Sequence, residues 1–286
     1  MATASGHESD GDWGPAGQIP PRQLIVTIYG LYSRATDGWM SVASLVHLLA
    51  DLGVDESAVR SSVSRLKRAG MLESEAMAAA AGYRLSDQAR RMLRDGDQRI
   101  FSARRATLDE GWVLVVFSVP ESERAKRHTL RTQLTRLGFG AASPGVWIAP
   151  GHVHDEVEDV LARLELRSYA DLFRADYLAV TPDLPTKVRR WWDTERLQDL
   201  YLQFLAVHRP VTELLAQGGP ATDAEAFTAH IRVLTDWRRL VYLDPGVARE
   251  LLPAKWSGTE ASEVFDELHA RLAGPARRHV ERVRSR

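Results

Sequence analysis

The chain has 286 residues, a formal net charge of −1, a hydrophobic fraction of 44% and a charged fraction of 26%. This balance is typical of a soluble globular protein, and the length favours two or three domains over a single core. The absence of cysteine excludes disulfides, thiolate nucleophiles and cysteine-ligated metal sites. Because the net charge is close to zero, any DNA-binding signal must be local.

The N-terminal segment predicts neither export nor membrane insertion. Residues 1–20 are rich in Gly, Ser, Asp and Pro, and we expect them to form a disordered tail. They lack the basic start and apolar core of a signal peptide, so the sequence predicts a cytoplasmic protein. The longest strongly apolar run, Trp112 to Val119, is too short to span a bilayer, and no membrane partner is expected.

Three helices are predicted between residues 21 and 72. The run RQLIVTIYGLYSR, which follows Pro21, has apolar residues at helical spacing and forms the first helix. Ser41 can cap the second helix, VASLVHLLADLG, which Gly53 should end. The third helix lies in the stretch DESAVRSSVSRLKRAGML, from Asp55 to Leu72, and Gly70 should end it.

The third helix should present a basic face that is rich in hydroxyl groups. Val59, Val63 and Leu66 fall on one stripe, opposite the polar side chains. Arg and Ser side chains contact phosphates and base edges in the DNA major groove, so the segment is a candidate recognition helix. An ordinary solvated surface helix would have the same pattern. The candidate DNA-binding residues are Ser57, Arg60, Ser61, Ser64, Arg65, Lys67 and Arg68.

Two short strands are predicted after the third helix, Met71 to Met77 and Gly82 to Ser86, joined through Ala78–Ala81. Three helices followed by a hairpin are the order of a winged helix-turn-helix. The short connection between the second and third helices also fits that motif. One more short helix is predicted from Asp87 to Arg94.

The middle of the chain predicts a ferredoxin-like sandwich, because its elements follow the order β-α-β-β-α-β. These elements are a strand at Trp112 to Val119, a helix at Glu121 to Leu137, a hairpin at Gly138 to Pro150, a helix at Asp155 to Leu166 and a strand at Arg174 to Val180.

Beyond Pro182 and Pro185 the pattern is helical. One long apolar face runs from Trp191 to Leu205, another from Phe227 to Val241, and a last helix is predicted from about Ser262 to Leu272. The aromatic residues of this region indicate a helical core, a cavity for an apolar ligand or a dimer interface.

The sequence thus predicts an α+β protein with four segments. They are a disordered tail at 1–20, a winged helix-turn-helix domain at 21–97, a ferredoxin-like central domain at 98–183 and a helical C-terminal domain at 184–286.

Several segments resemble the PaaX-like family of transcriptional repressors, which regulate phenylacetic acid degradation. The matching segments are VRSSVSRLKRAGML in the third helix, Arg99-Ile100-Phe101, Gly111-Trp112, LRTQLTRLGFGAASPGVWIAP and WRRLVYLDPGVARELLPAKWSG. The resemblance implies a homodimeric repressor that binds a palindromic operator in double-stranded DNA and has a Cas2-like central domain. It also implies release from DNA by an acyl-CoA such as phenylacetyl-CoA. The sequence has no GxSxG elbow, P-loop or GxGxxG fingerprint, so we predict no cofactor and no enzymatic activity.

The chain departs from this family at the predicted hairpin. Members of the family usually carry an arginine at the wing tip, whereas Ala78–Ala81 offers no side-chain phosphate donor. We therefore expect the third helix to carry more of the DNA contact than it would beside a basic wing.

A second basic cluster lies on the predicted helix of the middle region. It could hold the phosphates of a CoA moiety or lie along the DNA backbone, although a solvated face would look the same. Together with two tryptophans it forms the candidate effector site. These candidate residues are Arg124, Lys126, Arg127, Arg131, Trp191 and Trp192.

The sequence gives little support to metal binding or catalysis. His152, His154 and Glu158 resemble metal ligands, but a complete ligand set is not evident, and Asp155 is better explained as a partner of the helix dipole. Cas2-type nucleases hold a metal with an aspartate at the end of their first strand, where this chain has Phe117–Val119. No catalytic residue and no metal site are predicted, and a metal-dependent nuclease is the alternative function.

Overall fold

The structure, a computed structural model, describes residues 19–34, 37–77, 80–102, 104–178, 183–219 and 222–285. The predicted disordered tail therefore lies outside the described residues, apart from its last two. The helices are α1 Pro21–Tyr32, α2 Val42–Asp51, α3 Glu56–Arg68, α4 Asp87–Phe101, α5 Arg124–Arg136, α6 His154–Arg163, α7 Leu184–Trp191, α8 Thr194–Ala216, α9 Asp223–Leu243 and α10 Gly258–Arg284. The strands are β1 Trp39–Ser41, β2 Leu72–Met77, β3 Ala80–Leu85, β4 Trp112–Phe117, β5 Gly140–Ser143, β6 Val146–Pro150 and β7 Ala170–Ala175. Within the described part of the chain, none of the helices has the length and apolar character needed to cross a bilayer.

The three helices predicted near the N-terminus are confirmed, and their ends follow from local chemistry. The Ser41 side chain accepts a hydrogen bond from the Ser44 backbone N–H at 3.0 Å, which caps α2. Asp55 caps α3 in the same way, because its Oδ1 accepts from the Ala58 N–H at 2.9 Å. Gly70, with φ of +70°, follows α3 in a conformation that favours glycine.

The predicted hairpin is also confirmed, and it belongs to a three-stranded antiparallel sheet of order β1-β3-β2. Its second strand starts earlier than predicted, because Ala80 and Ala81, expected in the connection, pair with Met77 and Ala76 as part of β3. Ala78 and Ala79, at the predicted wing tip, lie outside the described residues. Strand β1 was not predicted, because three residues are too few to show an alternating pattern. At Gly82, which pairs with Ser41, a Cβ would lie 2.6 Å from the Met40 carbonyl oxygen, so the close pairing of β1 with β3 requires glycine.

One buried cluster joins the N-terminal helices to the last two helices. Side chains from α1, α2 and α3 pack with side chains from α9 and α10. Members with 0% exposure include Ile25, Ile28, Leu45, Leu48, Phe227, Ile231 and Ala276. The N-terminal helices therefore bury their apolar faces partly against helices that are distant in sequence.

The central segment forms a four-stranded antiparallel sheet of order β5-β6-β4-β7. Helix α5 follows β4 and α6 follows β6, so the predicted β-α-β-β-α-β order is confirmed. Val113 and Val115 of β4 belong to one buried cluster with Leu130 and Leu134 of α5 and with Leu161 of α6. These two helices cover one face of the sheet.

The predicted position of the last central strand is wrong. Strand β7 spans Ala170–Ala175, whereas the sequence indicated Arg174 to Val180. The apolar side chains that follow Asp176 favour a strand on composition alone, but it is the earlier segment that pairs with β4 in antiparallel register. Asp171 and Arg174 are exposed at this edge of the sheet, so this segment lacks the continuous apolar run that predicts a buried strand. Val180 itself lies outside the described residues.

Three helix boundaries also differ from the sequence prediction. Helix α4 continues to Phe101 rather than ending at Arg94, and α10 continues past Leu272 to Arg284 with Pro275 inside it. Gly274-Pro275 resembles a stop signal, but buried Ala276, Val280 and Val283 extend the apolar stripe beyond it. The apolar face predicted from Trp191 to Leu205 is divided between α7 and α8, because Trp192 has extended backbone angles.

The chain contains two compact units. The first contains the N-terminal segment as far as Gln98, Phe204–Arg239 and the C-terminal segment from Glu260. The second contains Arg99–Gln203 and Leu240–Thr259. Helices α4, α8, α9 and α10 each contribute residues to both units.

Candidate DNA-binding surface

Helix α3 separates an apolar face from a polar one. Val59, Val63 and Leu66 are buried, with exposures of 1%, 4% and 8%. All seven residues predicted to bind DNA lie on the exposed face: Ser57, Arg60, Ser61, Ser64, Arg65, Lys67 and Arg68. We name these seven residues the α3 polar face.

Acidic groups lie at the start of the α3 polar face. The Arg60 guanidinium donates from Nε to Glu56 Oε1 at 2.7 Å. The Ser57 hydroxyl donates to Asp55 Oδ1 at 2.6 Å. This hydrogen bond and the one from the Ala58 N–H both lower the pKa of Asp55. Glu56 was not among the candidate residues, although its spacing of four residues from Arg60 was a signal for an ion pair.

The other end of the α3 polar face is basic. Arg65, Lys67 and Arg68 occupy the last turn of the helix, where cations interact favourably with the helix dipole. Within the described ranges, no carboxylate pairs with any of these three residues. Their positive charges are therefore available to an external anion.

The connection between α2 and α3 is short and rigidly bonded. It consists of Leu52–Asp55, and the Val54 N–H donates to the Leu49 carbonyl at 2.9 Å. Gly53 has φ of +79°, a conformation that favours glycine. This short hydrogen-bonded turn is of the kind that joins the two helices of a helix-turn-helix.

The hairpin beside α3 carries acidic side chains. Glu73 is exposed on β2, and Glu75 forms an ion pair with Arg84 of β3, with Nε and Oε2 2.6 Å apart. Arg84 also lies 3.4 Å from Asp37. These strands therefore offer less positive charge to a nucleic acid than α3 does.

The candidate effector residues do not form one cluster. Arg127 donates to the Val119 carbonyl at 2.6 Å, just beyond the C-terminal end of β4. The Trp191 and Trp192 rings contact Trp112, at the N-terminal end of that strand, with ring centroids 5.8 and 6.2 Å away. With about 3.3 Å for each residue of a strand, β4 itself is about 17 Å long, and the two groups lie near its opposite ends.

Two of the four candidate cations already have partners. Lys126 donates to Glu123 at 2.9 Å and to the Tyr169 hydroxyl at 2.7 Å. Arg127 also donates to Glu121 at 2.9 Å. Arg124 and Arg131 are exposed on the same helix. A phosphate bound here would have to compete with these carboxylates.

The tryptophan pair fills space beside the sheet. The Trp192 Nε1 donates to the Gly138 carbonyl at 2.9 Å, and a Cβ at Gly140 would lie 2.7 Å from the Trp191 carbonyl oxygen. A cavity of about 240 Å³ adjoins Trp112 and Tyr177. The tryptophans are therefore largely explained by packing.

The histidines considered as metal ligands lie in unfavourable surroundings. Burial and the nearby cations Arg104 and Arg99 lower the pKa of His152. His154 Nδ1 lies 3.0 Å from Asp155 Oδ1. Nowhere in the described part of the chain do three His, Asp or Glu side chains form a group suited to a metal ion.

The fold and the surface together define an α+β protein with a basic helix in its first compact unit and a four-stranded antiparallel sheet in its second. Family models match the chain in three consecutive segments. The matches are the PaaX-like protein at residues 20–89, the PaaX protein central Cas2-like domain at 105–185 and the PaaX-like protein C-terminal domain at 192–282.

A curated relative and a solved structure are also similar. The transcriptional repressor PaaX of Escherichia coli (strain K12) is 30% identical over 261 residues, which are 88% of this chain and 80% of that protein. The chain therefore belongs to the PaaX-like family. The uncharacterized protein Rv0674 from Mycobacterium tuberculosis has a TM-score of 0.59 and 21% identity, with 91% of this chain and 98% of that chain covered, which shows a shared fold.

Proposed function

We propose that this protein is a DNA-binding transcriptional repressor. The observation that carries the proposal is the α3 polar face, which presents serine and arginine side chains on a helix that follows α2 after a tight turn. The name of the Escherichia coli relative supports the same function. No comparison supports the nuclease alternative, and we propose that the protein is not an enzyme and needs no cofactor.

The N-terminal segment, residues 21–97, is in this proposal a winged helix-turn-helix domain. Helices α2 and α3 form the helix-turn-helix, and the hairpin of β2 and β3 forms the wing. The remaining boundaries are those expected from the sequence, with a central domain at 98–183 and a C-terminal domain at 184–286. The acidic side chains on the hairpin support the idea that α3 carries most of the DNA contact.

Each residue type on the α3 polar face has a distinct role. Arg60 and Ser61 read base edges in the major groove, whereas Arg65, Lys67 and Arg68 neutralise phosphates. The protein acts as a homodimer on a palindromic operator, with its two recognition helices about 34 Å apart in successive major grooves. Because it acts on chromosomal DNA, we expect it in the cytoplasm.

Release from DNA is the second part of the proposal. An acyl-CoA such as phenylacetyl-CoA binds the repressor and lowers its affinity for the operator. The family to which the chain belongs supports this part, because the resemblance implies an effector of this class.

A DNA retention assay tests the proposal. Labelled fragments that flank the gene for this protein are incubated with the full chain, excess unspecific DNA and a divalent metal. We expect retention of one fragment without cleavage, and release when phenylacetyl-CoA is added. Cleavage of the DNA would support the nuclease instead, and failure to retain any fragment would contradict the repressor.

A further inference from the structure

A cavity of about 560 Å³ lies in the first compact unit, among residues of α8, α9, α10 and the end of α2. This volume is in the range of small-molecule sites. Its wall is mostly apolar and includes Val207, Val211, Val233, Leu268 and Leu272. None of these residues belongs to the predicted effector set.

Most polar groups in the wall of this cavity already have partners inside the protein. His208 is 4% exposed, and its Nε2 lies 2.9 Å from Asp236 Oδ2. The Asp51 carboxylate accepts from His279 Nε2 at 2.7 Å. Glu225 Oε2 accepts from the Thr222 N–H at 3.0 Å, at the start of α9.

Arg232 is the exception. It lines the cavity, is exposed, and has no ion-pair partner among the residues that the structure describes. Glu225 also brings a charge to the wall, because its carboxylate accepts from the neutral N–H and hydroxyl of Thr222 rather than from a cation. It lies seven residues before Arg232 on α9, about two helical turns away, so the guanidinium can attract an anionic group while the apolar side chains contact the apolar body of the ligand.

We infer that this cavity binds the apolar group of a small organic anion, with Arg232 holding its negative charge, and that it is the effector site of the repressor. Only the assignment of this cavity as the effector site rests on the proposed function. The inferred site lies on α8, α9 and α10, whereas the effector residues predicted from the sequence lie on α5 and at the end of α7.

The cavity adjoins the end of the helix that precedes α3. Asp51 is the last residue of α2, and both Asp51 and Thr228 line the cavity. The Thr228 hydroxyl donates to the Asp51 carbonyl at 3.4 Å. A ligand that displaces this hydrogen bond would act next to the α2–α3 turn, which is how we expect binding in the cavity to affect the α3 polar face.

Calorimetry on the DNA-free full chain tests the site. The probes are phenylacetyl-CoA, phenylacetate, the neutral phenylacetamide and CoA, each alone. Val211→Trp fills the cavity and should weaken binding of an apolar anion roughly tenfold or more. Leu214→Trp, on the same helix at a position that is 63% exposed, adds the same group outside the cavity and should leave binding unchanged.

Two further variants keep the test decisive. If the thermal melt shows that Val211→Trp does not fold, Ala229→Leu is used instead, because it fills the cavity with a smaller side chain. Arg232→Gln should weaken phenylacetate binding but not binding of the neutral phenylacetamide, whereas Arg271→Gln, on α10, should change neither.

Several results would overturn the inference. These are no binding of any probe, wild-type binding by the cavity-filling variants, or equal losses in the Leu214 control. Probe binding without release of bound DNA would overturn the effector role and leave the site intact. Failure to retain DNA at all would count against the proposed function but not against the binding site, because calorimetry tests the cavity in the absence of DNA.

Discussion

Arg60 and Glu56 form an ion pair within one turn of α3, with Nε and Oε1 2.7 Å apart. Both side chains are more than half exposed, so the pair contributes little to stability, and an external partner can displace it. The residue predicted to read a base is thus held beside a carboxylate on its own helix. A negative charge at this position also repels phosphates, which affects binding to every DNA sequence.

Replacing Glu56 with Gln should therefore strengthen DNA binding in general. We expect higher affinity for both the retained fragment and random DNA, with a smaller ratio between the two, because Arg60 can then pair with any phosphate. Fluorescence titrations at several salt concentrations measure both affinities. Glu263→Gln, on the exposed part of α10, removes the same charge from the same unit and should have a smaller effect. Equal effects of the two variants would contradict a specific role for Glu56.

Replacing Arg60 with Ala should reduce discrimination at one base pair by about 1–3 kcal/mol. The reason is that a bidentate arginine contact to a base edge is lost, while phosphate contacts remain. Titrations against a set of operators with single substitutions locate the affected position. Arg271→Ala is the matched control, because Arg271 also pairs with a carboxylate four residues earlier in a helix. Unchanged discrimination in Arg60→Ala would show that α3 does not read bases through this residue.

Lys67→Ala should instead weaken binding to all sequences by a similar factor. A lost phosphate contact should also lower the slope of log affinity against log salt by about 1. Lys255→Ala removes an exposed lysine from the other compact unit and should leave that slope unchanged. A sequence-dependent loss in Lys67→Ala would assign this residue to base reading and contradict its role as a phosphate contact.

The first three helices could be predicted because the signals that mark their ends are local. Ser41, Asp55, Gly53 and Gly70 mark helix ends by the chemistry of caps and positive φ, which depends on few neighbours. The end of α10 could not be found in this way. Pro275 is a local stop signal, but burial of Val280 and Val283 in a core shared with α1–α3 depends on contacts distant in sequence.

The two candidate sites also differ in whether the sequence alone could group their residues correctly. The exposure of the α3 polar face follows from helical periodicity, so the sequence was sufficient to group its residues. The predicted effector set combined a basic run with two tryptophans, and sequence gave no distance between them. The β4 strand separates them, because Arg127 is bonded beyond one end and Trp112 stands at the other.

Ser41→Ala should destabilise the protein by about 1 kcal/mol. The Ser41 hydroxyl accepts from the Ser44 N–H at 3.0 Å, and without it this donor at the start of α2 loses its partner. Chemical denaturation measures the change in the free energy of unfolding. Ser74→Ala, at an exposed position in β2, is the control and should change it much less. Equal changes would mean that the capping bond contributes nothing measurable.

A buried chain of hydrogen bonds makes the first unit sensitive to acid. The Tyr32 hydroxyl lies 2.8 Å from His230 Nδ1, and His230 Nε2 lies 2.9 Å from His269 Nδ1. Burial, with smaller contributions from His269 and Arg277, lowers the pKa of His230 to about 3. Burial also lowers the pKa of His269. Both histidines are therefore neutral in the folded protein at neutral pH.

Acid should consequently favour the unfolded state, in which a histidine has a pKa of about 6.5. As pH falls below about 6.5, the unfolded chain binds a proton at His230 that the folded protein does not, so stability falls until the pH nears the folded pKa. For His230 alone we expect a loss of about 2 kcal/mol between about pH 7.5 and about pH 5. Denaturation at the two pH values measures this difference. His230→Gln should reduce it, whereas His47→Gln, at an exposed position on α2, should not. The same loss in His230→Gln as in the wild type would show that the acid sensitivity arises elsewhere.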